Sequence, residues 1–370
     1  MSRLSRAELQ ERNRAKVLAA AREEFAERGF REAKVDRIAE RAGFTRGVVY
    51  SNFPGKRALY FAMLAEDAEH VPEKPHAERG RTAPAALGAF ARAWVARLPL
   101  DETPGTRLDV DVLPEVLADD RTRRPFAQLM KLNALLLGLA LERVRPPETP
   151  PGAPPARLVR LAETVLTTLH GASQLSAAAP GFVEPFDVVS ACEQLAGLEL
   201  GDWWAPPPVV PPAQRAAEPW APPSSVDAVT GGPAALAGDG VVAVLGLHRL
   251  SAVEAAVRAA PPGAEVTAVL VSGDPAELMP LARLVLAELM GCLRQAFAPE
   301  HRPRLRVVPD PSGAVAAAAG VPAVSDATEV AVRVEAGRIV ARAEGLGACH
   351  AVAIGDRSTE REKTRHLPRF

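Results

Sequence analysis

The chain has 370 residues, of which 48% are apolar and 5% aromatic, and its formal net charge is −1. This length suits two or three domains, and no run of residues approaches the roughly 18 apolar positions of a membrane-spanning helix. The N-terminus also lacks the apolar core of a secretory signal. The three cysteines, Cys192, Cys292 and Cys349, lie far apart without CxxC or paired histidines, so we expect no disulfide framework, no metal site and a cytoplasmic location.

Charge is distributed unevenly along the chain. Residues 1–60 contain 14 Lys and Arg against 8 Asp and Glu, whereas the whole chain is nearly neutral. A basic end on a neutral chain indicates an anionic partner for that end, such as nucleic acid. A solvated charged surface explains the charge alone equally well.

Hydrophobic spacing predicts four helices near the N-terminus, over residues 11–28, 35–42, 46–52 and 56–70. In the first of them, Val17, Ala21 and Phe25 recur every four residues, and Gly29 follows its end. Pro54–Gly55 forms a turn before the fourth helix. The sequence therefore begins with a compact helical module.

Two of these helices are short and separated by a tight turn, which predicts a helix-turn-helix. Gly43 can adopt positive φ in the turn, and Thr45 is placed to cap the second helix with its hydroxyl. Ile38 and Val49 are expected to face the common core, whereas the opposite face of residues 46–52 points outward.

Two residues in this module are unfavourable for an isolated helix. Gly47 costs about 1 kcal/mol relative to alanine inside a helix, and Lys56 is repelled by the positive end of a helix dipole. DNA explains both, because Gly47 would let the backbone approach the groove floor and Lys56 would share a phosphate with exposed amides. The alternative is that each is a tolerated surface feature.

Helices are also predicted up to residue 200, over residues 83–98, 106–118, 122–144, 156–178 and 185–199. A proline cluster at 146–155 separates two of them. Leu158, Leu161, Val165 and Leu169 form an apolar stripe, which is typical either of a core or of a partner-helix interface.

The composition then changes. Residues 205–223 contain 8 prolines and predict an extended, semi-rigid linker. Beyond it, alternating patterns predict strands at 241–247, 265–271 and 304–310, helices at 250–260 and 275–297, a short helix after Asp310, and a hairpin over 329–345 that turns at Ala336–Gly337. This βαβαβαββ order favours an α/β sandwich around a central sheet, followed by a charged, frayed tail after Gly355.

The N-terminal stretch resembles the TetR family of transcriptional regulators. The resemblance lies in RAKVLAAAREEFAERGF and VDRIAERAGFTRGVVYSNFPGKRALY, within residues 12–64. It implies that the third helix enters the major groove of double-stranded DNA. The residues implied near bases are Thr45, Arg46, Gly47 and Ser51, and those near phosphates are Tyr50, Asn52, Lys56 and Lys34. One departure is the start of the second helix, which reads Ala33–Lys34–Val35 instead of carrying a Thr or Ser cap.

The same resemblance implies that residues up to 200 form a helical domain that binds a small-molecule effector and makes a homodimer through its last two helices. The dimer would read a palindromic operator, and the fourth helix would transmit ligand binding to the DNA-binding module. Six large or polar residues on predicted inner helices are candidate effector contacts: Trp94, Phe126, Met130, Asn133, His170 and Gln174. Each of them individually is more typical of core filling, and His170 of a structural histidine.

The C-terminal part resembles the thioredoxin fold, in particular its peroxiredoxin-like branch. The resemblance lies in VVAVLGLHRLSAVEAAV, EVTAVLVSGDP, LRVVPDPSGAVAAAAGV and ATEVAVRVEAGRIVARAEG. That superfamily places a reactive cysteine after its first strand, where this chain has Leu247–His248–Arg249–Leu250–Ser251. Peroxiredoxins also use an arginine where Asp326–Ala327–Thr328 stands. We therefore expect a non-catalytic module with no cofactor.

These inferences predict a multidomain protein, all-α at its N-terminal part and α/β thioredoxin-like at its C-terminal part. The predicted divisions are a helix-turn-helix domain at 1–55, a ligand and dimerisation domain at 56–200, a linker at 201–225, an α/β domain at 226–355 and a tail at 356–370. The predicted function is a ligand-responsive homodimeric DNA-binding transcriptional regulator with a non-catalytic sensing or interaction module at its C-terminal part. We expect a repressor that a small molecule releases from its operator, with activation as the other mode, and neither an enzyme nor a protein that acts at a membrane. The alternatives are a thiol-based redox sensor or redox enzyme fused to a DNA-binding domain, and an adaptor that recruits a partner protein.

Overall fold

The computed structural model describes residues 5–70, 79–98, 119–145, 157–202 and 204–354. The chain forms two compact units, each assembled from separate segments. The helical unit comprises Met1–Pro147, Arg157–Asp202 and Asp274–Arg302, and the α/β unit comprises Glu148–Ala156, Trp203–Gly273 and Pro303–Phe370. The expected all-α N-terminal part and α/β C-terminal part are thus both present.

Numbered along the chain, the described helices are α1 (Arg6–Glu32), α2 (Val35–Ala42), α3 (Arg46–Asn52), α4 (Lys56–Glu69), α5 (Ala83–Val95), α6 (Asp120–Val144), α7 (Val159–Ala178), α8 (Pro185–Leu195), α9 (Ala252–Ala259), α10 (Pro275–Ala296), α11 (Ala314–Ala318) and α12 (Ala348–Ala353). The strands are β1 (Gln214–Pro219), β2 (Gly240–Gly246), β3 (Val266–Val271), β4 (Arg306–Pro309), β5 (Glu329–Glu335) and β6 (Arg338–Glu344). The helix predicted at 106–118, the proline cluster at 146–155 and the charged tail lie outside the described residues.

The helices α2, α3 and α4 match their predicted bounds within one residue, whereas α1 begins five residues before and ends four residues after the predicted 11–28. Ser5 starts α1 with a capping box, in which Glu8 N donates to Ser5 Oγ at 3.2 Å and Ser5 N donates to Glu8 Oε2 at 2.7 Å. The helical geometry of α1 breaks at Gly29, whose φ is 68°. Phe25, Phe30 and Tyr60 meet behind this break, with ring centroids 4.8–6.0 Å apart. This aromatic cluster joins α1 to α4.

The helix α10 belongs to the helical unit, although it lies within the stretch 226–355 that was predicted as one α/β domain. It packs against α4, α5 and α6. Its apolar residues are buried around most of its circumference, including Leu278, Leu281, Val285 and Leu289. A helix with so wide an apolar surface needs several neighbouring helices to bury it, and α4, α5 and α6 supply them.

The α/β unit is built on one mixed six-stranded sheet with the order β1-β6-β5-β2-β3-β4. The strands β2, β3 and β4 are parallel, whereas β5, β6 and β1 pair antiparallel. The hairpin turns where predicted, with φ of 48° at Ala336 and 72° at Gly337. The predicted strands and helices of this half are all present within one or two residues of their expected bounds.

The proline-rich segment expected to be a linker is partly structured. Residues Gln214–Pro219 form β1, which pairs with β6 at the sheet edge. The next residue, Trp220, is buried, and its indole N–H donates to Leu236 O at 2.6 Å. Proline is tolerated at the end of an edge strand because one side of that strand needs no ladder hydrogen bonds. The composition indicated a linker, but the residues between the prolines complete the sheet.

No helix in the described ranges is both long enough and apolar enough to cross a membrane.

Candidate DNA-binding interface

The turn between α2 and α3 has the geometry that the sequence predicts. Gly43 ends α2 in the left-handed region, with φ 70° and ψ 32°. Phe44 N then donates to Ala39 O at 2.9 Å, which closes the turn. Ile38 and Val49 are 0% and 2% exposed, so they form the shared core of the two helices as expected. The pair is therefore a helix-turn-helix.

The outer face of α3 is exposed at Thr45, Arg46, Gly47, Tyr50 and Ser51. Arg46 is partly ordered by its neighbours, since Nη2 donates to Tyr50 Oη at 3.3 Å and Nε lies 3.4 Å from Asp36 Oδ1. The Tyr50 hydrogen bond and the Asp36 charge raise the pKa of Arg46 above its ordinary value. A guanidinium group thus stands at the surface of the short helix, held over an aromatic ring.

Gly47 occupies a position at which the chain itself has room for a side chain. Among the described residues, a Cβ built on Gly47 would meet only Thr45 Oγ1 within 4 Å, at 3.8 Å. Nothing within this part of the chain therefore accounts for the cost of glycine in the helix.

The remaining polar groups of α3 are bonded locally. Ser51 Oγ and Asn52 Nδ2 both donate to Val48 O, at 2.9 and 2.8 Å. Thr45 occupies the N-cap position, but within the described chain its hydroxyl makes no capping hydrogen bond, contrary to expectation. That hydroxyl is consequently available to an outside acceptor or donor.

The two lysines of the predicted interface differ. Lys34 is exposed at the N-cap position of α2, where its side chain makes no cap hydrogen bond in the described structure. Lys56 Nζ instead donates to the carbonyl oxygens of Phe30, Arg31 and Ala33, at 2.8, 3.1 and 3.1 Å. Its ammonium group therefore ties α4 to the end of α1, and contact with a phosphate would require it to leave these carbonyls.

A buried carboxylate that sequence analysis did not identify supports the module from behind. Glu24 is fully buried, and its oxygens lie 3.4 Å from Arg28 Nε and 3.2 Å from Arg41 Nε. It also accepts a hydrogen bond from Lys34 N at 3.4 Å. Glu24 thus connects α1 to both ends of α2. Its position in a charged amphipathic helix gave no sign that it is buried.

A groove of about 430 Å³ lies between α6 and α7. Three of the six candidate effector residues line the groove, namely Phe126, Met130 and His170, and the ring of a fourth, Trp94, lies 4.8 Å from the His170 ring. Burial, with a smaller effect of the Arg97 charge, lowers the pKa of His170 to about 4. The imidazole is therefore neutral at pH 7.

One edge of this groove carries an ion pair between Lys131 Nζ and Glu163 Oε1, at 2.5 Å. The other two candidates lie elsewhere. Asn133 is buried and donates to Val285 O of α10 at 3.3 Å, whereas Gln174 is exposed. The groove thus combines an apolar floor, a neutral imidazole and a charged rim.

The three cysteines are all buried and free. Burial raises the pKa of Cys192 and of Cys292 to about 11 each, and raises that of Cys349 further. Thiols of this kind stay protonated at neutral pH and are poor nucleophiles.

The segment after β2 is where peroxiredoxins carry their reactive cysteine. In this chain, Arg249 of that segment pairs with Glu329 of β5. Arg249 Nε donates to Glu329 Oε2 at 3.0 Å, and Glu329 Oε1 accepts from Gly347 N at 2.9 Å. Asp326, in place of the peroxiredoxin arginine, accepts from Ser272 Oγ at 2.7 Å. No group of His, Cys, Asp and Glu in the described structure is arranged to hold a metal ion.

Comparison with known proteins agrees with the geometry of the N-terminal module. Residues 17–63 match the model described as "Bacterial regulatory proteins, tetR family". The HTH-type transcriptional activator FasR of Mycolicibacterium smegmatis is 40% identical over 58 residues, which is 16% of this chain and 26% of FasR. The HTH-type transcriptional repressor AcnR of Corynebacterium glutamicum is 38% identical over 61 residues, or 16% and 32% of the two chains.

Residues 17–63 are accordingly a TetR-family helix-turn-helix domain. A crystal structure of a TetR transcriptional regulator from Rhodococcus sp. RHA1 aligns with 50% of this chain and 94% of its own, at 18% identity and a TM-score of 0.33. This chain spans about a third or less of the length of the curated relatives named above.

Proposed function

We propose that the protein is a DNA-binding transcriptional regulator whose helix α3 enters the major groove. The observation that carries this proposal is the outer face of α3, where Arg46 and Tyr50 are exposed beside a glycine for which the chain provides no internal reason. A recognition helix approaches base edges with such a face. The TetR-family match over residues 17–63 supports the same function. Such a regulator acts in the cytoplasm, where bacterial DNA lies.

The residues of the proposed interface take separate roles. Thr45, Arg46, Gly47 and Ser51 approach bases, and Tyr50, Asn52 and Lys34 approach phosphates. Arginine can bond a guanine through two N–H groups, and the exposed Asp36 would release Arg46 for that contact. Lys56 supports this surface from inside the module through its three carbonyl contacts.

Substitutions of two exposed cations separate base reading from phosphate contact. Arg46→Ala is expected to relax the preference at one base position, at a cost of about 1–3 kcal/mol for the preferred duplex. Lys34→Ala is expected to weaken binding to duplexes of all sequences about equally. Arg92→Ala, which removes an exposed arginine on α5, is the control. The proposal fails if Arg46→Ala changes affinity and sequence preference no more than Arg92→Ala does.

We further propose a homodimer formed through α7 and α8. The stripe of Leu161, Val165 and Leu169 is buried within the chain, so it is not the contact surface. The exposed apolar groups lie at the ends of these helices instead, with Phe182 and Phe186 exposed by 71% and 80%. Within the described structure, the buried residue of α8 is Cys192. A second copy would cover this surface and place two recognition helices about 34 Å apart.

The dimer is tested by sedimentation of the full chain. Phe186→Glu is expected to shift the protein to monomers, and Val209→Glu, at a site exposed by 61% in the α/β unit, is the control. Equal association of both variants and the natural chain would exclude this interface.

The groove between α6 and α7 is the proposed effector site. Its floor of Phe126 and Met130 suits an apolar or aromatic molecule, and the neutral His170 imidazole can donate or accept one hydrogen bond. The proposed mode is repression that ends when the effector binds and the protein leaves its operator. A ligand that binds more tightly to the conformation with poorer DNA affinity lowers DNA binding. Met130→Trp, which fills the groove, is expected to abolish effector-induced release while retaining DNA binding. Release of the variant at the natural effector concentration would exclude this site.

The α/β unit is proposed to be a non-catalytic sensing or interaction module related to the thioredoxin fold. The missing thiol after β2 and the Arg249–Glu329 ion pair support this. The redox-sensor alternative requires an accessible thiol of low pKa. Titration with a thiol reagent is expected to find Cys192, Cys292 and Cys349 unreactive in the folded chain and reactive after unfolding. Fast modification of one of them, with loss of DNA binding after peroxide, would favour the alternative.

A further inference from the structure

The helix α10 completes the helical unit although it lies far along the chain, between β3 and β4. It contacts α4 extensively, and it also packs on α5 and α6. Asn133 of α6 donates to Val285 O within it, and Gly80 N donates to Ala296 O at its end, at 3.0 Å. The helical unit of this protein is therefore incomplete without residues 275–296.

One polar link of α10 reaches the first turn of α4. Arg57 donates to Glu277 Oε1 through Nε at 2.9 Å and through Nη2 at 2.7 Å. Its remaining terminal nitrogen, Nη1, donates to Asp119 Oδ2 at 2.9 Å, just before α6. The side chains of Arg57 and Glu277 are only 23% and 16% exposed. Charge-assisted hydrogen bonds with this geometry are stronger than neutral ones.

The last turn of α4 is held by the same helix. Arg283 of α10 donates to Glu69 through Nε at 3.0 Å and through Nη2 at 2.7 Å. Both ends of α4 are thus bonded to α10. Since helix α4 follows α3 after three residues, its position along α10 constrains the recognition helix.

The connection to the DNA-binding face is short and buried. Phe53, directly after α3, is 2% exposed, and Lys56, next to Arg57, is bonded to the segment that ends α1. A movement of the first turn of α4 would pass to α1 through Lys56 and to α3 through Phe53. These contacts place Arg57 at a junction of α1, α3, α4, α6 and α10.

We propose that Arg57, held between Glu277 and Asp119, is a positioning residue for DNA binding, and that α10 thereby sets the geometry of the recognition helix. This inference rests on the proposed function. Neither carboxylate contacts DNA in this scheme, so their loss changes affinity without removing a phosphate contact. The C-terminal part of the chain then contributes to operator binding through one helix.

The test uses the full chain with substitutions that remove charge while keeping shape. Glu277→Gln weakens one side of the Arg57 network, and Asp119→Asn weakens the other while keeping the N-cap that Asp119 provides to α6. Glu288→Gln is the matched control, because Glu288 lies on the same helix, is 22% exposed and pairs at 2.9 Å with Arg97, two residues after the end of α5. Binding to a duplex selected with the natural chain is measured at several salt concentrations, together with amide hydrogen exchange of residues 46–60.

Glu277→Gln and Asp119→Asn are each expected to weaken duplex binding about fivefold or more, within the usual range of coupling between sites. The dependence of affinity on salt should stay unchanged, and exchange at residues 46–60 should accelerate. Glu288→Gln should change neither the duplex affinity nor the exchange at residues 46–60, even if it lowers the melting temperature as much as Glu277→Gln does. Equal effects of Glu277→Gln and Glu288→Gln on binding and exchange would overturn the inference.

The two proposals can fail separately. If the natural chain selects no duplex, the proposed function fails and the role of Arg57 in DNA binding fails with it, and the exchange measurement then decides only whether the Glu277 contact fixes the position of α3. Faster exchange at residues 46–60 in Glu277→Gln than in Glu288→Gln supports it, and equal exchange overturns it.

Discussion

Lys56 Nζ lies 2.8 Å from the carbonyl oxygen of Phe30, and its ammonium group also stands 4.6 Å above the centre of the Phe30 ring. Two further carbonyl oxygens, of Arg31 and Ala33, complete its three donor sites. The lysine that is unfavourable at the start of α4 is thus stabilised by the carbonyl groups that end α1. Its placement is explained within the module, without an external anion.

Lys56→Met is therefore expected to act mainly on stability. Loss of hydrogen bonds from a charged donor should lower the free energy of unfolding by about 1.5–3 kcal/mol. The slope of log affinity against log salt should not change, because no phosphate contact is lost. Lys34→Met is the comparison, and it is expected to reduce that slope by about one unit with little change in stability. A slope reduced by Lys56→Met, at unchanged melting temperature, would show that Lys56 contacts phosphate.

Gly47→Ala is expected to stabilise the fold while weakening DNA binding. Alanine raises helix stability by up to about 1 kcal/mol, and a Cβ there meets only Thr45 Oγ1 within 4 Å in the described chain. The added methyl group, and more strongly the carboxylate of Gly47→Glu, would obstruct the approach to the groove. Gly291→Ala, on α10, is the control, since a Cβ there is also unobstructed by described residues. Melting and duplex binding are measured together. Unchanged affinity in Gly47→Glu would contradict the proposed interface.

Glu24→Gln is expected to destabilise the helix-turn-helix. The carboxylate is fully buried between Arg28 and Arg41, and neutralising it weakens both contacts. The free energy of unfolding should fall by about 1–3 kcal/mol, the usual cost of losing a buried charged hydrogen bond. Glu23→Gln, at a site that is 67% exposed beside the same Arg41, should change it far less. Denaturant titration of both variants checks this, and equal stability would contradict the role of Glu24.

The buried environment of His170 predicts that the free energy of unfolding decreases as the pH falls. Its pKa is lowered from 6.5 to about 4 in the folded chain, so the unfolded chain takes up a proton first as the pH falls. The stability that the neutral, buried imidazole contributes is fully present above about pH 6.5 and is lost progressively toward pH 4. His170→Leu should reduce the fall in melting temperature between pH 7 and pH 5 relative to the natural chain. An imidazole NMR titration with a midpoint near 6.5 would contradict this prediction.

Local patterns predicted the helix-turn-helix well. The bounds of α2 and α3, the turn at Gly43 and the buried pair Ile38 and Val49 all depend on neighbours within a few residues. Hairpin chemistry at Ala336–Gly337 is equally local. Periodicity and turn residues carry this kind of information in the sequence.

Contacts between distant segments were not predictable in the same way. Arg57 and Glu277 are 220 residues apart, and nothing in either local sequence indicates the other. The burial of α10 in the helical unit and the burial of Glu24 likewise depend on tertiary packing. Asn133 was expected near an effector, but its amide contacts α10, because its neighbour in space comes from the C-terminal part of the chain.

DNA binding through α3 can be measured by selecting duplexes from a random pool with the full chain and then with the double variant Arg46→Ala, Gly47→Glu. The natural chain should enrich a palindrome whose half-sites are centred about 10 base pairs apart, or a multiple of this spacing, and the double variant should lose this enrichment. A pool without enrichment, or the same enriched sequence with the double variant, would show that α3 does not read DNA.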